Sequence, residues 1–315
     1  MYARRKTFFG KVIMAKKKEN TTKVDKYLII MMDNNDIFSE MIEYNFENVM
    51  IYKSKKESID FLEKNKINKL IFVGHCLEFD QIIFAKGTEC EINFIIPFTL
   101  QGLSSKNNLI SFNHMLDYNN KLVHCKIGVL DKNLFEVLKN KQNIFKLDFD
   151  IRKNKYNSKN DKTIGMLNNE FDCSNGYFNS LSAIGILNKT ARVQEKKYYF
   201  KQFNKVFPID SVIDKEKFYL NNSINLNINF DDNNPYWFLK SMDSKIPCIV
   251  GNNSYLDNKL LDKHLKVNSD DNIDEIASKI SHVKNNEVEI FKEYEKWRKV
   301  YTKKSKISIQ NFILK

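Results

Sequence analysis

The sequence is poor in the residues that mark special folds. Its 315 residues include only 4 Pro and 9 Gly, which excludes collagen-like and long low-complexity segments. No apolar run approaches the roughly 20 residues that a spanning helix needs. The five cysteines (Cys76, Cys90, Cys125, Cys173 and Cys248) are scattered and form no CxxC pair. Reduced, structural thiols in a cytosolic chain fit that pattern better than a disulfide framework. The five histidines show no metal-ligand spacing, so no metal is expected. There is no GxGxxG, hence no fingerprint for a dinucleotide cofactor.

What is present is an ordinary apolar content of 42% and a net charge of +12. A basic chain can meet nucleic acid, anionic lipid or phosphorylated ligands. The excess is mostly Lys, alongside abundant Asn and Ile, as AT-rich codon usage gives. Nucleic-acid sites favour Arg forks, and no RNA- or DNA-binding motif accompanies the charge. An anionic membrane surface stays open as a partner, and nucleic acid is the least favoured. Residues 1–25 form a basic tail with Phe8 and Phe9 but no sustained apolar core, which is a poor signal peptide. It reads as a solvated tail, with contact to a membrane surface as the other reading. The expected location is cytoplasmic, with membrane association open.

From residue 26 the pattern becomes regular. Apolar runs of strand length occupy 26–32, 48–53, 68–74, 91–97, part of 121–130, and 143–149. Helical patterns separate them at 37–46, from Ser54, and at 131–140. Ser54 with Glu57 forms a capping box. Strands without alternation predict a parallel sheet covered on both faces, so 26–150 reads as one Rossmann-like domain. His75 follows the third strand, where such sheets bind ligands. It is a candidate acceptor contact or base, but reads slightly better as a polar residue of a strand-to-helix loop.

Residues 151–162 (IRKNKYNSKNDK) have almost no apolar content and mark a linker. A second α/β domain is expected over 163–285. It comprises a strand at 163–169, a helix at 175–187 with Phe178, Leu181, Ile184 and Leu187 inward, ARVQ, a helix near 200–207, and a unit at 211–222. The stretch from Ile224 to Ser254 then reads as buried strand, acidic and amide-rich turn, short helix, and buried strand ending at Gly251. Asn234 is a good N-cap and Pro235 a good first helical residue. Free N–H groups and a positive dipole end at that helix start suit a diphosphate. His264–Asn268 and a helix at 273–283 follow. A long helix from about Glu287 carries Ile290, Tyr294, Trp297 and Tyr301 on one face, and 286–315 is expected to pack back across the domains.

The segment NINFDDNNPYWFLKSMDSKIPCIVGNNS resembles the nucleotide-sugar segment of the large retaining GT-B glycosyltransferase family. HLKVNSDDNIDEIASKI is similar to that family's closing strand and helix. TIGMLNNEFDCSNGYFNSLSAIGIL is similar to the first strand and helix of its donor domain. The resemblance covers the last half of the chain; the first half matches in architecture alone. It implies a GT-B fold, with two Rossmann-like domains facing a cleft and a crossing C-terminal helix. It also implies transfer of a sugar from a nucleotide-sugar donor to a glycan, lipid-linked or protein acceptor.

The resemblance places Asp232 at the transferred sugar, as the catalytic candidate. Asn233, Asn234 and Pro235 fall at the sugar or phosphate, and Asn168, Asn169 and Asn175 on the opposing lip. Lys240, Ser241 and Gly251 complete the binding set. Two positions depart from the family motif. Its second Glu, on the donor ribose, is Lys240 here, and an ammonium only donates. The family's basic residue near the first donor-domain helix is replaced by Cys173 and Ser174. These losses motivate a second reading, a non-catalytic subunit that partners an active glycosyltransferase.

Overall fold

The computed structural model describes residues 26–32, 37–122, 124–153, 163–167, 177–194, 208–212, 218, 220–228, 235–252 and 256–314. They build two parallel sheets. The first holds β1 (Tyr27–Met31), β2 (Val49–Ile51), β3 (Lys69–Val73), β4 (Glu91–Ile96), β5 (Ile127–Val129) and β6 (Ile144–Lys146), in the order β2-β1-β3-β4-β5-β6. The second holds β7 (Thr163–Met166), β8 (Thr190–Gln194), β9 (Ile209–Val212), β10 (Ile224–Asn227) and β11 (Cys248–Val250), in the order β11-β10-β7-β8-β9. Every pairing is parallel, with Ile29 opposite Ile71 and Leu226 opposite Met166.

The uninterrupted apolar runs have a direct cause. In β1, Leu28 and Ile30 enter one core while Ile29 and Met31 enter another. A strand covered on both faces has no side left for polar residues.

Helices cover the sheets. Around the first are α1 (Ile37–Asn45), α2 (Lys55–Asn65), α3 (Leu77–Lys86), α4 (Lys106–Lys121) and α5 (Lys132–Leu138). With the second come α6 (Tyr177–Ile186), α7 (Tyr236–Asp243), α8 (Lys259–Leu265) and α9 (Ile273–Asn285), and α10 (Glu287–Leu314) ends the chain. Ser54 caps α2, its side chain accepting from the Glu57 N–H. Asp131 caps α5 in the same way.

Two expectations need correction. His264 and Leu265 do not open a closing strand; they end α8. Asn258 accepts from the N–H groups of Leu260 and Leu261, and Leu261 and Leu265 are buried one turn apart, so local capping and helical spacing prevail. In place of the strand there is an isolated bridge from Lys266 to Val250. Phe178 is 38% exposed, and its neighbour Tyr177 takes the inward position on α6. The sequence pattern does not delimit α3 and α4, because α4 mixes Asn and Lys with its apolar residues and buries only Met115 fully. The final Lys-, Ile- and Leu-containing residues continue α10 to Leu314. The expected helix near 200–207 lies outside the described residues.

α10 joins the two sheets. A helix of 28 residues is about 42 Å long. Its first half packs Tyr294 and Trp297 against Phe238 of α7. Its second half sends the Tyr301 hydroxyl to the Phe149 carbonyl (2.9 Å) and sets Phe312 against Phe145. One buried cluster accordingly runs from Ile29 and Ile71 through Phe149 and Ile151 to Leu226 and Cys248. None of the described helices is long and apolar enough to cross a membrane.

Candidate functional site

In open parallel sheets, ligands bind beyond the carboxyl ends of the strands, where the strand order reverses. The second sheet reverses between β7 and β10, which are hydrogen-bonded neighbours. The Leu167 N–H donates to the Leu226 carbonyl (2.8 Å), so the two strands end side by side. The segments that follow them contain Asn168, Asn169 and Asn175, and Asp232, Asn233 and Asn234. Those six residues lie outside the described residues, but the strand ends that launch both segments meet at the reversal.

α7 begins immediately after the second segment. Pro235 has helical backbone angles (φ −69°, ψ −9°), and its carbonyl accepts from the Leu239 N–H at 2.8 Å. Pro235 therefore occupies the cap position itself, one residue later than the expected Asn234. The helix is held by burial of Tyr236, Phe238, Leu239 and Met242. The Tyr236 hydroxyl reaches Glu40 of α1 at 2.5 Å, linking the start of α7 to the first sheet. Lys240, one turn on, lies over the Tyr236 ring at 5.3 Å.

Ser241 belongs to the core rather than to a ligand surface. It is fully buried, donates to the Ile246 carbonyl and accepts from Asn225 Nδ2, both at 2.8 Å. Asn225 in turn accepts from Asn222, which also donates to the Phe218 carbonyl and accepts from the Thr163 hydroxyl. This buried amide chain ties β7, β10 and α7 together below the reversal point. It requires Gly165: a Cβ there would lie 2.2 Å from Asn225 Oδ1 and 2.3 Å from Asn222 Nδ2. The sequence shows Asn225 only as a polar residue in an apolar strand.

Gly251 is buried at the end of β11, its N–H donating to the Asn227 carbonyl. Next to it the Asn252 N–H donates to Asp270 at 2.7 Å, fixing the exit of the strand.

The first sheet reverses between β1 and β3, and His75 stands just past β3. Its Nε2 is 2.8 Å from Asp80 Oδ1, its ring stacks on His114 at 4.6 Å, and its side chain is 2% exposed. The Tyr118 hydroxyl donates to the same Asp80 oxygen at 2.7 Å. Burial pushes the Asp80 carboxyl up, but the Tyr118 and His75 hydrogen bonds outweigh it and hold the group below the usual carboxylate range. Burial and the adjacent Asp80 push the Tyr118 phenol well above its ordinary value. Asp80 and Tyr118 carry no signal in the sequence, because its pattern does not delimit α3 and α4.

A small cavity of about 70 Å³ lies where the two sheets approach. Leu130, Lys132, Lys146 and Asp148 line it from the first sheet, with Pro235 of the second and Tyr301 of α10. It is far smaller than the several hundred Å³ of a typical ligand pocket.

No family model matches this sequence, and no curated protein matches it. Solved structures do. The crystal structure of the GtfA/B complex matches with a TM-score of 0.54 at 14% identity, covering 84% of this chain and 61% of that one. A crystal structure of a glycosyltransferase from Rickettsia africae ESF-5 matches with a TM-score of 0.59 at 10% identity, covering 92% of this chain and 100% of that one. The fold is GT-B. This chain thus spans about 61% of the length of the GtfA/B structure and the whole of the Rickettsia one. At such identities the GT-B likeness is one of fold, and roles of single residues must come from their own chemistry.

Of the candidate site, the described parts are the strand ends, Gly251 and the α7 start with Pro235 and Lys240. Lys240 is the first charged residue along α7, which has no acidic residue in its first turn.

Proposed function

We propose that this chain is a glycosyltransferase, moving a sugar from a nucleotide-sugar donor to a glycan, lipid-linked or protein acceptor. The observation that carries this reading is the start of α7. It directly follows the Asp232-containing segment, beside the point where the second sheet reverses. A helix start offers backbone N–H donors to an anion, and Asp232 lies three positions before Pro235 in the sequence.

The division of labour is the one the glycosyltransferase resemblance implies. Residues 163–285 form the donor side and 26–150 the acceptor side. Asp232 engages the transferred sugar. Asn233, Asn234 and the first N–H groups of α7 hold the sugar or diphosphate, with Asn168, Asn169 and Asn175 opposite. In the reaction the bond from the sugar anomeric carbon to the diphosphate oxygen breaks, and the diphosphate leaves with the electron pair. The acceptor oxygen bonds to that carbon and loses its proton. Stabilising the departing diphosphate is the main catalytic demand, and fixed N–H donors meet it without reorganisation.

Calorimetry with UDP-, GDP- and CMP-linked sugars tests the reading. Binding of at least one donor is expected, followed by hydrolysis or transfer that falls on Asp232→Ala while donor binding persists. Absence of binding to every donor would reject a nucleotide-sugar site. Binding without turnover, together with a second chain that co-purifies from the native host, would instead identify a non-catalytic subunit of a glycosyltransferase complex.

A further inference from the structure

We infer that the outer face of the second half of α10 is a docking surface for anionic lipid bilayers. From Lys296 to Leu314 the helix has no Asp or Glu; its charged residues are Lys296, Arg298, Lys299, Lys303, Lys304 and Lys306. Arg298 points inward and is buried. Val300, Ile307 and Leu314 point outward, 64%, 57% and 68% exposed.

Their spacing of seven puts these three apolar side chains in one line along the helix. Lys296 and Lys303 project along that line, and Lys299 and Lys306 flank it on one side. Lys299, Lys303 and Lys306 form no ion pair among the described residues. Lys304 lies on the other side, bonded to Asp148 and Asp257. An open groove continues the surface. Val300, Lys303 and Ile307 border it on α10, and Phe145 and Lys146 on the edge strand β6. Asp148, the carboxylate in that groove, is shielded by Lys304 and Lys146.

A bilayer satisfies both features. Exposed apolar side chains enter the headgroup boundary while lysine stems extend to lipid phosphates. A partner helix fits less well. A coiled-coil seam needs a second apolar residue three or four positions after each first. Here those positions hold Lys303 and Lys304, then Gln310 and Asn311. None of the residues given a donor-site role lines this groove, so the inference holds or fails independently of the glycosyltransferase reading.

The test is flotation of the full chain with phosphatidylcholine vesicles, with and without phosphatidylglycerol. Binding is expected only with the anionic lipid, weakening as salt rises. Each lysine at an anionic surface is worth about fivefold in affinity. Lys303→Glu with Lys306→Glu should therefore lower binding by roughly tenfold or more. Val300→Ser with Ile307→Ser keeps every charge and should still weaken binding several-fold, because the apolar contact is lost. Circular dichroism of both double variants should match the parent, since all four positions are exposed. Failure of the parent to bind anionic vesicles, equal binding to neutral ones, or unchanged binding by either double variant would overturn the inference.

Discussion

Arg298 of α10 grips Asp243 at the carboxyl end of α7. The guanidinium Nε and Nη2 donate to the carboxylate at 3.2–3.3 Å, and Nη1 pairs with Asp150 at 2.6 Å. The Tyr294 hydroxyl donates to the same Asp243, and Asn45 of α1 bonds the Asp150 backbone. One cation thus joins the terminal helix, the segment after β6 and the helix whose other end faces the candidate donor site. Arg298 is a positioning residue for α7.

Arg298→Ala leaves two buried carboxylates without their cation. Removing one partner of a buried ion pair costs about 3–5 kcal/mol, and the unfolding midpoint in denaturant should fall accordingly. Arg298→Lys should recover only part, because an ammonium cannot fork between Asp243 and Asp150. A loss under about 1 kcal/mol would place the pair among surface bridges in strength.

Gly165→Ala tests the amide chain under the site. The new methyl would collide with both Asn222 and Asn225, and those buried side chains cannot move without breaking their bonds to Thr163 and Ser241. Overpacking of this kind costs about 1–3 kcal/mol. Urea denaturation measures the loss, and an unchanged midpoint would show that the strands shift freely.

Stability should fall as pH drops below the ordinary imidazole value near 6.5. His264 of α8 stacks on His282 of α9, Nδ1 to Nε2 at 2.9 Å, an arrangement that needs one nitrogen without a proton. Burial first, then His282, lowers the His264 pKa; Lys263 and Lys279 act the same way, and Glu289 of α10 opposes them. The unfolded chain therefore binds the proton more readily. The contribution is complete above the unfolded value and is lost as pH falls. Denaturant midpoints at about pH 8 and about pH 5.5 should differ, and His264→Gln should reduce the difference. An equal pH dependence in that variant would clear His264.

Lys240→Glu probes the donor reading. The exchange replaces a group that only donates with one that accepts from hydroxyls, and removes the contact over Tyr236. Donor affinity in calorimetry should rise, by roughly tenfold for one new charged hydrogen bond. A fall in affinity would mean that Lys240 itself reaches the donor, through its phosphates.

The sequence by itself determined the two parallel sheets and the terminal helix. Those features rest on local signals: doubly buried apolar runs such as those of β1 and β3, the caps Ser54 and Asp131, and the inward row Ile290, Tyr294, Trp297 and Tyr301. It also located Pro235 at a helix start, to within one residue. Other features depend on contacts between distant residues, which no local pattern reports. Asn225 and Ser241 read as a stray strand amide and a candidate ligand group until packing joined them. His75 met Asp80, Tyr118 and His114 only when α3 and α4 closed around it. Arg298 was one more basic residue in a lysine-rich helix until its partners, Asp150 and Asp243, came from 148 and 55 positions away. Which polar groups are buried together, and so which ones hold the site rather than face a ligand, was decided by tertiary packing alone.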